Sequence, residues 1–129
     1  MIAISLLLGL LGCDLGWKPT SLVDEGATCL EAATADGTGT ITVDAEVCLS
    51  SSCDREAAGS CTATLDGTTI TVTSEFAWET AIGPTACTDD CGMLATTCDV
   101  GPLPAGTYTI VHGGETTTVE VPTTEACGF

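Results

Sequence analysis

The chain has 129 residues and a formal net charge of −16, because 18 acidic residues are balanced by only two basic ones, Lys18 and Arg55. This charge excludes nucleic acid as a partner, since affinity for a polyanion comes from Lys and Arg side chains that neutralise phosphates. It also excludes electrostatic attachment to anionic lipid. The length is typical of a single domain with one modest core.

A short apolar segment, residues 2–11, opens the chain and ends in Leu10-Leu11-Gly12-Cys13. A membrane-spanning helix needs roughly 20 apolar residues, about twice what this segment offers. Its length is typical instead of the hydrophobic region of a signal peptide, which would form a signal helix. The segment therefore predicts export.

Leu10, Leu11, Gly12 and Cys13 resemble the lipobox of bacterial lipoproteins. The resemblance implies cleavage before Cys13, after a diacylglyceryl group is attached to its sulfur. It divides the chain into a signal peptide (1–12), a lipidated tether (13–26) and a β domain (27–129). The resemblance also implies a location in the bacterial cell envelope, anchored to the inner or the outer membrane through the lipid on Cys13.

Nine cysteines are present, and assigning Cys13 to lipid leaves an even number for disulfides. In an oxidising compartment these eight predict up to four disulfides, which would compensate for a core with only five aromatic residues. The gaps between them lack the paired Cys-x2-Cys spacing of a structural zinc site. Their connectivity stays open. The predicted disulfide cysteines are Cys29, Cys48, Cys53, Cys61, Cys87, Cys91, Cys98 and Cys127.

Strand patterns begin at residues 40–47, where Ile and Val alternate with Thr and acidic residues. This period of two predicts a strand with one buried face. After a Ser-rich loop, Asp66-Gly67 predicts a hairpin turn between residues 61–65 and 68–80, because both positions tolerate positive φ. In the second arm a shared buried face is expected for Ile70, Val72, Phe76 and Trp78.

The remainder of the chain predicts a crosslinked loop at residues 85–94, with a short helix there as the alternative, a turn at 99–104 and a third hairpin. That hairpin joins residues 107–112 to 115–121 through Gly113-Gly114. Short strands separated by turns favour an all-β fold, a small antiparallel β-sandwich or a barrel. The segment 103–109 with its following hairpin resembles the end of immunoglobulin-like domains, which makes an immunoglobulin-like sandwich the preferred form.

Chemistry-bearing residues are few. His112 is the only histidine, and its place before two glycines predicts a partly exposed turn residue. We assign no catalytic residue, expect neither an enzyme nor a cofactor, and keep a hydrolase only as a distant alternative. Metal ligands are likewise not assigned, although Asp36, Asp89 and Asp90 are weak candidates for Ca²⁺, which prefers hard oxygen ligands.

Two functions from different classes follow. The first is a structural or interaction module whose sheet face or loops, especially residues 87–98, contact an envelope protein or a polymer. The alternative is a domain of the envelope that binds divalent cations such as Ca²⁺. High acidity by itself indicates only a soluble surface.

Overall fold

The computed structural model describes residues 16–83 and 86–128. The predicted signal peptide and Cys13 lie outside the described residues. Within the described part there is no helix long and apolar enough to cross a membrane. Its strands, in chain order, are β1 (Trp17–Val23), β2 (Ala27–Leu30), β3 (Gly37–Asp44), β4 (Asp54–Asp66), β5 (Thr69–Ala81), β6 (Ala95–Leu103), β7 (Gly106–His112) and β8 (Glu115–Val121).

These strands form two sheets, which confirms the predicted all-β sandwich. In the large sheet β5 is central and pairs with β4 on one side. On its other side β5 pairs with β1 along its second half and with β7 along its first half. Strand β8 pairs with the far side of β7. The small sheet has the order β2-β3-β6. One pair departs from the antiparallel arrangement, because β5 and β7 run parallel. Parallel neighbours need a crossover connection, and β6, in the small sheet, provides it.

The two predicted glycine hairpins are confirmed. Gly67 and Thr68 turn β4 into β5, one residue later than the predicted Asp66-Gly67, with Gly67 at φ 60°. Gly113-Gly114 turns β7 into β8, with Gly113 at φ 57°. Along β5 every second side chain is buried, including the predicted four and Ser74. This buried face packs against Ile41 and Val43 of β3, which are fully buried.

The resemblance to the end of an immunoglobulin-like domain has a structural counterpart. The Tyr108 hydroxyl donates a hydrogen bond to the Pro104 carbonyl over 2.6 Å. A tyrosine that bonds back to the backbone just upstream is the tyrosine corner of immunoglobulin sandwiches. It fixes the chain where it enters β7.

Three segments that the sequence patterns did not assign to strands lie in strands. Residues 54–60, predicted as part of the Ser-rich loop, begin β4. Residues 17–23, predicted as tether, form β1, which pairs with the second half of β5. Gly16 and Pro19 suggested a linker, but an edge strand tolerates proline because one side of its backbone is unpaired. Residues 99–104, predicted as a turn, lie mostly in β6, where Val100 and Leu103 are buried.

Strand β3 is buried on both faces, whereas the sequence predicted one. Thr42 and Asp44 lie on its outer face yet are 8% and 3% exposed. The Thr42 hydroxyl donates to the Glu31 carboxylate over 2.9 Å, and the Cys127 backbone N–H donates to the same carboxylate. The C-terminal tail therefore covers this face, and no local pattern could reveal that.

Four disulfides join all eight cysteines other than Cys13, as predicted in number. The pairs are Cys29–Cys127, Cys48–Cys91, Cys53–Cys87 and Cys61–Cys98. Such a set forms and persists only in an oxidising compartment, so the domain belongs outside the cytoplasm. Cys61–Cys98 links β4 to β6 and closes one side of the sandwich, and Cys29–Cys127 fixes the tail.

Non-reducing peptide mapping of exported protein is expected to recover these four pairs. Intact mass should show the loss of eight thiol hydrogens, two for each disulfide. Recovery of any other pairing, for example Cys87 with Cys91, would contradict the topology.

Removing the Cys61–Cys98 link by a paired Cys→Ala substitution is expected to lower the free energy of unfolding by about 2–5 kcal/mol. The reason is that the unfolded chain regains the conformational freedom of a closed loop. Denaturant unfolding under non-reducing conditions measures the change. Unfolding at the same denaturant concentration as the unmodified protein would refute this role.

Candidate functional site

The side of the sandwich opposite Cys61–Cys98 is open. There the edge strand β2 of the small sheet and the edge strand β8 of the large sheet flank a groove. Within residues 16–83 and 86–128, each of these strands pairs on one side only, β2 with β3 and β8 with β7. Edge strands present unpaired backbone N–H and C=O groups that can accept a further strand.

The groove consists of two adjoining cavities. The upper cavity, which borders Gly26 and His112, has a volume of about 530 Å³. The lower cavity has a volume of about 510 Å³. Both are lined by Thr28 of β2 and Thr117 of β8. Residues 122–126 of the tail border the lower cavity. Small-molecule pockets are lined mainly by apolar side chains, whereas threonines and carboxylates dominate here.

The register of β8 shows that its inner face is only partly covered. Thr117 pairs with Ile110 and Val119 with Tyr108, both buried residues of the inner face. Thr117 is nevertheless exposed, and Val119 is half-buried. The small sheet therefore ends short of β8, and this strip of β8 faces the groove.

The lining of the groove is strongly negative. Four carboxylates border the upper cavity and two border the lower one. Neither basic residue of the chain lies among them, because Arg55 pairs with Glu79 over 2.8 Å and stacks on Trp17, and Lys18 lies in β1. The six acidic lining residues are Asp24, Glu25, Glu46, Glu115, Glu120 and Glu125.

Local backbone geometry brings some of these carboxylates to the groove. The Asp44 carboxylate accepts a hydrogen bond from the Glu46 N–H over 2.6 Å, and Glu46 has φ 55°. Such a bond from an Asp to the N–H two residues later stabilises a turn. Gly26, at φ 119°, lies where a Cβ atom would be 2.2 Å from the Asp44 carbonyl oxygen. Only glycine allows the approach.

His112 borders the top of the groove, but it is 2% exposed, so the prediction of a partly exposed turn residue is wrong. Its place in β7 points it inward beside Ser74 of β5. The ring Nε2 lies 2.8 Å from the Ser74 Oγ, and Nδ1 lies 3.2 Å from the Gly26 carbonyl oxygen. Sequence spacing could not show this, because Ser74 and His112 are separated by 38 residues.

The hydrogen bonds define the proton positions on this imidazole. A carbonyl oxygen only accepts, so Nδ1 carries a proton, and in the neutral ring Nε2 then accepts from the Ser74 hydroxyl. Serine, imidazole and carbonyl are thus arranged as a nucleophile, a base and a group that orients the base. Both side chains are buried, Ser74 at 5% exposure and His112 at 2%. Through these two hydrogen bonds, His112 connects β5 of the large sheet to the loop that precedes β2.

The weak Ca²⁺ candidates lie in different loops. Asp36 is exposed between β2 and β3 at φ 63°, whereas Asp89 and Asp90 are exposed in the loop after β5. Hydrogen bonds from the Thr88 side chain and from Ser51 lower the pKa of Asp90, which keeps its carboxylate ionised and engaged. Among residues 16–83 and 86–128, no three potential ligands come together to hold a metal ion.

The predicted interaction segment, residues 87–98, divides into two parts. Its first part is an exposed loop held by Cys53–Cys87 and Cys48–Cys91, and its second part begins β6. The groove was not predicted at all. Thr28 and Thr117 have no distinguishing sequence signal, since only their positions on two facing edges make them neighbours.

No protein-family model, no curated protein and no solved structure matches this chain. Function must therefore be argued from the residues themselves.

Ser74→Ala is expected to lower the free energy of unfolding by about 1–3 kcal/mol, because it leaves the buried His112 Nε2 without a donor. Thr73→Val is the matched control. It alters the exposed neighbour on the same strand and should stay within about 0.5 kcal/mol of the unmodified protein. Denaturant unfolding of both variants checks the assignment, and equal effects would contradict it.

Proposed function

We propose that this protein is a lipid-anchored interaction module of the bacterial cell envelope. Cys13 carries the lipid, and the β domain presents a binding surface to an envelope protein or polymer. The observation that carries the proposal is the complete pairing of the other eight cysteines, which leaves Cys13 as the one thiol for lipid attachment.

Charge supports a lipid anchor over an electrostatic one. With a net charge of −16 the domain is repelled by anionic headgroups. Stable attachment then needs at least two acyl chains, because each buried CH₂ contributes only about 0.8 kcal/mol. The diacylglyceryl group implied by the lipobox resemblance meets that requirement.

The position of the anchor supports a role in binding. Trp17, close in sequence to Cys13, pairs with Ala81 at one end of β5. The groove strands lie at the other end, where Ile70 pairs with Ile110 of β7. About 36 Å of extended strand separates Ala81 from Ile70, at roughly 3.3 Å per residue. An anchor at Cys13 would therefore direct the groove away from the lipid surface.

Expression of the full chain in an exporting bacterium tests the anchor. The mature protein is expected to start at Cys13, with acyl groups in its intact mass. Cys13→Ser should abolish both acylation and cleavage at that site. The paired substitution of Cys29 and Cys127 by Ser is the control, because it removes a disulfide and should leave acylation unchanged. Cleavage elsewhere would refute the proposal.

Crosslinking in intact cells tests the binding role. The lipidated protein is expected to yield a saturable product with one envelope component, and excess purified domain should compete with it. Absence of any saturable product from correctly lipidated protein would refute a binding role while leaving the anchor intact.

A further inference from the structure

We infer that the groove between β2 and β8 binds an extended, basic polypeptide segment, which adds to the large sheet as a strand beside β8. This inference rests on the proposed binding role and names the class of partner. Edge-strand addition derives affinity from main-chain hydrogen bonds and specificity from side chains at alternate positions.

Strand β8 has the length and exposure that such pairing needs. It comprises seven residues, and its outer edge pairs with no described strand. Five of these residues, including Thr116–Thr118, are exposed. The groove beside it is bounded by β2, so an added strand would have the large sheet on one side and Thr28 facing it from the other.

The exposed Thr117 shows where the added strand would lie. Its register places it on the inner face of the large sheet, and yet nothing covers it among the described residues. A strand beside β8 would direct every second side chain into this space. The two cavities, about 530 and 510 Å³, are large enough for such side chains.

Charge determines which polypeptide fits. The groove presents six carboxylates, including Glu115 and Glu120 on β8 itself, and contains neither of the chain's two basic residues. A second copy of this chain carries the same charge of −16 and is repelled. Lys or Arg at alternate positions of the partner complements the lining and raises the rate of encounter.

Binding of synthetic peptides to the full, oxidised, lipidated chain in detergent tests the inference. The first peptide alternates Lys with Thr, is capped at both ends and has seven residues, the length of β8. It is expected to bind at one saturable site and to weaken as salt is added. A peptide with Glu in place of Lys should not bind.

A third peptide separates strand pairing from simple charge attraction. It keeps every Lys but is N-methylated at alternate peptide nitrogens, which removes backbone donors without changing charge. Affinity is expected to fall at least about tenfold if two or more hydrogen bonds are lost. Equal affinity of the two Lys peptides would overturn the inference, as would failure of the unmethylated one to bind at low salt.

Matched variants of the protein locate the site. The double substitution Glu115→Gln/Glu120→Gln is expected to weaken the Lys peptide about five- to tenfold, because two of the six negative charges that border the groove are removed. Asp66→Asn/Glu75→Gln removes the same charge from β4 and β5, where both residues are exposed and neither borders the groove. It should change the affinity less than about twofold at moderate salt. Equal weakening by both pairs would overturn the inference.

Amide hydrogen exchange gives an independent readout. The Lys peptide is expected to slow exchange within residues 115–121, since the added strand pairs with that edge. Slowing confined to β1 or β4 would contradict the inference. A crosslinked envelope partner that is unaffected by Glu115→Gln/Glu120→Gln would refute this groove but not the proposed binding role. Loss of lipidation would refute the anchor but leave peptide binding unchanged.

Discussion

The Cys61–Cys98 disulfide is the constraint on which the shape of this domain depends. It ties β4 of the large sheet to β6 of the small sheet and so brings the two sheets together along one side. Among the described residues, no disulfide joins two strands on the other side. The sandwich is thus crosslinked along one side and open along the other, with the tail disulfide Cys29–Cys127 bordering the groove at its lower end.

Disulfides suit this chain because its other sources of stability are limited. Five aromatic residues provide little bulk, and a net charge of −16 favours expanded states through self-repulsion. Crosslinks act mainly on the unfolded chain, and their effect does not depend on charge. The same charge keeps copies of the protein apart, which protects exposed edges such as β8 from pairing with each other.

Hydrogen bonds of buried side chains also hold the strands and loops of the domain together. His112 links β7 to Ser74 of β5 and to the Gly26 carbonyl, so one buried side chain fixes the loop that precedes β2. Asp44 and Gly26 pack together at the same level and position Glu46 at the groove. These contacts hold the loops that carry Asp24, Glu25 and Glu46 on the groove. A loop held in place before binding loses less conformational entropy when a partner binds.

Sequence patterns predicted the features that depend on neighbouring residues. The hairpins at Gly67 and at Gly113 follow from the freedom of glycine at positive φ, and the buried face of β5 follows from strict alternation. Strand β1 was missed because Pro19 is permitted only where an edge is unpaired, and β6 because its pattern is interrupted by Gly101 and Pro102. That β1 lies at an edge, and that β6 continues through Gly101 and Pro102, becomes clear only when the neighbouring strands are placed.

The sequence by itself determined the strand-rich class, the even set of eight cysteines, the acidic surface and the lipobox resemblance, since each depends on composition or on short spacing. Only the tertiary structure decided which cysteines pair, which face of β3 the tail covers and where His112 points. It alone placed Thr28 opposite Thr117, because the groove is formed by edges that are distant in the chain. Contacts of that kind arise from packing and register, which no local pattern encodes.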